Sequence, residues 1–109
     1  MYLGNAANSA WTISNKAMAN ADISNQWIHY AVVRDGTNIR TFCNGVLINT
    51  TSYTIANTAP IITTIGAYWN TNNSSTGIPN AFSNVYTQDF RISNVARYTA
   101  NFTPPTRFI

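Results

Sequence analysis

Gln26-Trp-Ile-His-Tyr-Ala-Val-Val-Arg-Asp-Gly36 and the following Asn38-Ile-Arg-Thr-Phe-Cys-Asn-Gly-Val-Leu-Ile-Asn-Thr50 decide the fold. Trp27–Arg34 is rich in aromatic and β-branched residues, which suit a pleated strand. Asp35-Gly36 follows at once, and Asp-Gly between apolar runs is a strong hairpin signal, because a type I′ turn needs positive φ at both central residues. Asn38–Cys43 reads as the return strand, Asn44-Gly45 as a second turn of the same kind, and Val46–Thr50 as a third strand. Alternation places Trp27, His29, Ala31 and Val33 on one face and Ile28, Tyr30 and Val32 on the other. Both faces are mostly apolar, as expected of a strand inside a sheet. Trp27 is expected to anchor the core, at a cost of about 3–5 kcal/mol if cut to Ala.

Outward from this meander the chain keeps the same character. Tyr2-Leu-Gly4 and Ala10–Ser14 read as two strands joined by small residues, and Lys16–Ala21 as irregular structure. Tyr53–Ile55, Ile61–Gly66 and Phe82–Ile92 read as further strands. In the last of these Val85, Thr87, Asp89 and Arg91 alternate with Tyr86, Gln88, Phe90 and Ile92. Asn70–Asn80 has no periodicity and reads as an exposed loop. The consecutive prolines Pro104-Pro105 end regular structure, since they cannot donate to a ladder.

The chain has 109 residues, the size of one domain. Asn (16), Thr (15) and Ser (8) dominate its polar surface, while only one Lys, five Arg and three Asp carry charge. Good helix formers other than Ala are scarce, so the composition predicts an all-β, antiparallel fold. The same composition disfavours enzyme classes. Glycosidic acid/base chemistry uses two carboxylates, and only Asp22, Asp35 and Asp89 are present. Zinc sites draw on several Cys and His, against one Cys43 and one His29 here. The six cations are scattered rather than gathered into the basic stripe typical of nucleic-acid binding. No enzyme, cofactor, metal or nucleic-acid partner is therefore expected. Cys43 reads as a small buried apolar residue. No apolar run approaches the roughly 20 residues of a membrane span, and the N-terminus has no secretory signal pattern.

Two stretches carry a resemblance. Gln26–Gly36 with Asn44-Gly-Val-Leu47 resembles the central meander of laminin G-like domains, of the concanavalin A-like lectin/glucanase superfamily. Asp89-Phe-Arg-Ile-Ser-Asn-Val-Ala-Arg-Tyr-Thr-Ala-Asn-Phe-Thr-Pro-Pro105 resembles the closing strand and tail of bacteriophage and other viral members. The resemblance spans about residues 24–106 and implies a single β-sandwich of the jelly-roll type. The chain begins with Tyr2-Leu-Gly4, where the family has an aromatic-rich first strand of another kind. The expectation is a reduced jelly roll, or one whose first strands another chain supplies.

The residues expected to matter fall into two groups. Trp27, His29, Asp35, Gly36, Asn44, Gly45 and Phe90 are framework positions: His29 a hydrogen-bonded residue of the strand, Asp35 and Gly36 a turn. Tyr68, Trp69, Asn70, Asn72 and Asn73 are the candidates for ligand contact. Sugar faces stack on aromatic rings, and amides offer paired donors and acceptors to hydroxyls. The alternative for them is a Tyr68-Trp69 core cap beside a solvated Asn-rich loop.

The resemblance of the tail and the low charge imply a non-enzymatic structural or adhesion module of a virus particle, foremost a bacteriophage capsid decoration or cement protein. Its partners would be capsid or fibre proteins, copies of itself, or both. A carbohydrate-binding module of a tail fibre or secreted adhesin is the alternative. A chain with so few charges to protect its sheet edges is expected to associate, through strands near the N-terminus.

Overall fold

The two turns set the register of the molecule's best-formed sheet. The structure, a computed structural model, describes residues 3–4, 11–13, 19–54, 68–70, 78–80 and 84–106. Within these lie seven strands: β1 (Leu3–Gly4), β2 (Trp11–Ile13), β3 (Tyr30–Asp35), β4 (Asn38–Cys43), β5 (Val46–Ser52), β6 (Tyr68–Asn70) and β7 (Ile78–Asn80). All pairings are antiparallel, in the orders β1-β2, β3-β4-β5 and β6-β7. The described residues contain no helix, so the fold is all-β.

The chain forms two compact units, one of Met1–Asn57 with Ile92–Ile109 and one of Thr58–Arg91. The first holds the meander. Its second turn has positive φ at both Asn44 (49°) and Gly45 (79°), the type I′ geometry expected from Asn-Gly. The first turn differs from expectation by one residue. Asp35 pairs with Asn38, so the two-residue loop is Gly36-Thr37. Gly36 alone has positive φ there (59°), the pattern of a type II′ turn with Gly in the first central position.

Register then sorts the faces. Directly opposed residues share a face, so Ala31, Val33, Arg40, Phe42, Leu47 and Thr50 lie together. Tyr30, Val32, Arg34, Ile39, Thr41, Cys43, Val46, Asn49 and Thr51 lie on the other side. A bulge at Ile48 shifts the register between Thr41 and Phe42, which keeps Leu47 opposite Phe42. The central strand β4 is buried on both faces: Ile39, Thr41 and Cys43 on one, Phe42 on the other. Val33 completes the buried set on the Phe42 face. Cys43 is a buried free thiol, as its composition-based reading expects.

Three expectations need correction. Trp27 is 70% exposed and is no core anchor. The ladder ends at the Tyr30–Cys43 pair because β4 turns away at Asn44, so nothing in the ladder lies opposite Trp27 although it has the parity of Val33. The described part of the expected Phe82–Ile92 strand, residues 84–92, is not in a strand, and Asp89 has a left-handed φ of 54°. Its Phe90, expected as a framework residue, is 58% exposed. Conversely, the stretch expected as a loop, Asn70–Asn80, has strands at both ends. Tyr53 and Thr54 follow β5 outside any strand; Ile55 and Ile61–Gly66 lie outside the described residues.

Candidate functional site

Two places gather the residues singled out by sequence. The first is the Asn44-Gly45 turn. Asn44 closes the entry to β3: its N–H donates to the His29 carbonyl (2.8 Å), and its Oδ1 accepts from the His29 N–H (2.8 Å). His29 is thus a hydrogen-bonded framework residue, seated just before β3 rather than within it. The C-terminal tail binds the same turn. The Phe102 N–H donates to the Gly45 carbonyl (2.9 Å), and Asn101 Oδ1 accepts from the Leu47 N–H (2.9 Å). This approach is open only to glycine. A Cβ on Gly45 would run into the Phe102 carbonyl oxygen and lie 3.0 Å from Pro104 Cδ.

An aromatic cluster forms beneath that clamp. Tyr98 and Phe102 stack at 3.6 Å between centroids, nearly parallel. Phe102 meets the ring of Phe42 edge-on at 5.4 Å and that of His29 at 5.4 Å. Burial among these rings lowers the His29 pKa from its ordinary 6.5, opposed by a hydrogen bond with its own backbone. On the other face burial raises the Tyr30 phenol above its usual range, with Thr41 pulling it back. Sequence reasoning takes Asn101 and Phe102 for a tail that ends regular structure, gives Tyr98 no role of its own, and so misses their structural part. The signal it has to hand is the Tyr-x-x-x-Phe spacing before Pro104-Pro105.

The second place is the β6–β7 hairpin. Its register pairs Tyr68 with Asn80, Trp69 with Pro79 and Asn70 with Ile78. By parity, positions 68, 70, 78 and 80 share one face of the ladder and positions 69 and 79 the other. Tyr68 and Trp69, adjacent in sequence, belong to opposite faces. Asn72 and Asn73 lie outside the described residues. The ladder brings Asn80 into the candidate set, a residue that loop-like composition concealed.

The carboxylates are occupied locally or exposed. Asp35 Oδ2 accepts from Arg40 Nη1 at 2.6 Å across the β3–β4 hairpin. Asp22 Oδ1 accepts from the Ser24 N–H at 2.9 Å, an Asx turn, and contacts with Ser24 lower its pKa. Asp89 is exposed. Among the described residues no group of three or more His, Cys, Asp or Glu is placed to hold a metal ion, and no helix is long and apolar enough to cross a membrane.

Comparison with known proteins adds a family. A laminin G-type model described as the concanavalin A-like lectin/glucanases superfamily matches residues 2–101. No curated protein and no solved structure matches the chain.

Proposed function

Because the chain belongs to the concanavalin A-like lectin/glucanases superfamily, we propose that it is a non-enzymatic structural and adhesion module of a virus particle, of the kind that decorates or cements a bacteriophage capsid. The observation that carries this reading is the clamp on the Asn44-Gly45 turn. The tail segment that resembles viral members is the segment bound into the meander through Asn101 and Phe102. The carboxylates support the non-enzymatic part. A retaining glucanase needs an acid and a nucleophile about 5–5.5 Å apart. Asp35 is committed to Arg40, and Asp22 to a local turn on the surface. Immunogold labelling of density-purified particles is expected to find the chain on their surface in fixed ratio to the capsid protein. Particles free of the chain would overturn the virion assignment. Release of reducing sugar from β-glucans by the purified chain would overturn the non-enzymatic one.

The β6–β7 hairpin favours carbohydrate binding as the second reading. Two aromatic and two amide residues occupy four of its six ladder positions: Tyr68, Trp69, Asn70 and Asn80. Glycan-array binding that is lost in both Asn70→Ala and Asn80→Ala, whose positions share a face of the ladder, or alternatively in Trp69→Ala on the other face, with unchanged circular dichroism, would place the adhesive surface there. Binding that survives all three substitutions would remove the hairpin from consideration.

A further inference from the structure

Of the 16 asparagines only Asn44 stands before a glycine, and it does so inside the tail clamp. The pair is chemically labile as well as turn-forming. When the Gly45 nitrogen gives up its proton to water it can attack Asn44 Cγ. A Cγ–N bond then forms and the side-chain amide leaves as ammonia, closing a succinimide ring. Water opens the ring at either carbonyl. Breaking the Cγ–N bond yields aspartate. Breaking the bond from the Asn44 backbone carbonyl carbon to the Gly45 nitrogen yields isoaspartate, with the main chain rerouted through Cγ. The net change is one water taken up and one ammonia released. No Cβ on residue 45 hinders the attack. The bare backbone that lets the Phe102 carbonyl approach Gly45 thus also leaves Asn44 open to its neighbour's nitrogen.

The fold opposes this reaction. Asn44 Oδ1 accepts from the His29 N–H and the Asn44 N–H donates to the His29 carbonyl, both at 2.8 Å, so side chain and backbone are tied to the entry of β3. On the far side of the nucleophile the Gly45 carbonyl accepts from the Phe102 N–H at 2.9 Å. Asn101 holds the Leu47 N–H at 2.9 Å. Ring closure requires the Asn44 side chain to leave His29 and swing over the Gly45 peptide, which must turn to meet it. Both motions break the clamp. Asn44 is exposed and Gly45 buried, so the covered atom is the nucleophile.

We propose that Asn44 is a deamidation site gated by the C-terminal tail, converting through the fraction of chains in which residues 98–102 have lifted from the Asn44-Gly45 turn. The two products differ in consequence. Aspartate keeps an oxygen for the His29 N–H and tolerates the left-handed φ of 49° at this position, so the clamp re-forms. Isoaspartate adds a methylene to the main chain between β4 and β5. The two-residue turn is lost, Gly45 no longer meets Phe102, and the tail stays released.

Peptide mapping by mass spectrometry at neutral pH follows the conversion. In the full chain unfolded in guanidinium chloride, Asn44 should convert before any other asparagine. In the folded chain its rate should fall at least about tenfold, following the fraction of time the clamp is open. Phe102→Ala should speed the folded-state conversion about tenfold or more. Asn101→Ala removes a single exposed hydrogen bond, keeps the test valid should Phe102→Ala misfold, and should speed conversion about threefold or more. Gly36→Ala weakens the other turn and leaves the clamp in place, so its rate should stay within about twofold of wild type. Aged chain enriched in isoaspartate at position 44 should be cut by chymotrypsin after Tyr98 and Phe102 at least about tenfold faster than wild type. Asn44→Asp should be cut at the wild-type rate. Each of the following would overturn the proposal: conversion as fast folded as unfolded, another asparagine converting first in the unfolded chain, Asn101→Ala no faster than wild type, Gly36→Ala accelerated as much as the tail variants, or isoaspartate chains whose tail resists chymotrypsin as wild type does.

Discussion

At the two turn glycines, backbone conformation and steric contact can be separated. Gly36 and Gly45 both have positive φ, but a Cβ on Gly36 meets nothing within 4 Å. Gly36→Ala should therefore cost only the left-handed penalty, about 1 kcal/mol. Gly45→Ala adds a collision with the Phe102 backbone, and urea unfolding should show a loss of more than about 2 kcal/mol. Equal losses at the two sites would mean that the tail does not sit on the Asn44-Gly45 turn. Trp27 gives the opposite kind of prediction. Exposed as it is, Trp27→Ala should change stability by no more than about 0.5 kcal/mol. A loss of several kcal/mol would bury it after all. Asn-Gly at 44–45 was legible in the sequence because its turn chemistry is local. The exposure of Trp27 was not, because parity along a strand says nothing about where its neighbour ends.

The meander and the tail stand or fall together as elements. β4 is bonded on both sides and buried on both faces, so its amides should exchange most slowly among the described strands. Phe102 supplies rings to both Phe42 and His29. Phe102→Ala should cost about 2 kcal/mol, below the range for a fully buried Phe because Phe102 is only partly covered. His29 makes the same contact sensitive to pH. Its folded pKa lies below 6.5, so the unfolded chain binds a proton where the folded chain resists it. Stability is then at its full value above about pH 6.5 and declines as pH falls from there toward the folded value. His29→Phe should flatten the melting temperature across that window. The depressed Asp22 titrates lower, below its ordinary 3.8, and leaves the window clear.

For the molecule as a whole, nine charged residues in 109 limit what electrostatics can do. The Asp35–Arg40 pair bridges β3 and β4 with both side chains partly exposed, a setting in which such pairs contribute little. Raising salt from about 0.1 to about 1 M should therefore move the melting temperature by no more than about 2 °C, since the screened interactions are few and weak. A shift several times larger would reveal an ionic network. Sparse charge also leaves sheet edges poorly protected.

Whatever depends on neighbours along the chain was already written in the order of residues. Strand-forming composition, the Asn44-Gly45 turn, the bounds of β4 and the all-β class all follow from residues within a few positions of one another. Even there the first turn moved by one residue, because Gly36 alone could take positive φ once Asp35 had paired with Asn38. Which faces are covered was settled by folding, through partners far apart in the chain. Asn101 and Phe102 lie more than fifty residues from the turn they close, and no periodicity marks that pairing in advance. The β6–β7 ladder was hidden for the same reason: a run of Asn, Thr and Ser gives no hydrophobic alternation, so its register emerges only when Tyr68 finds Asn80.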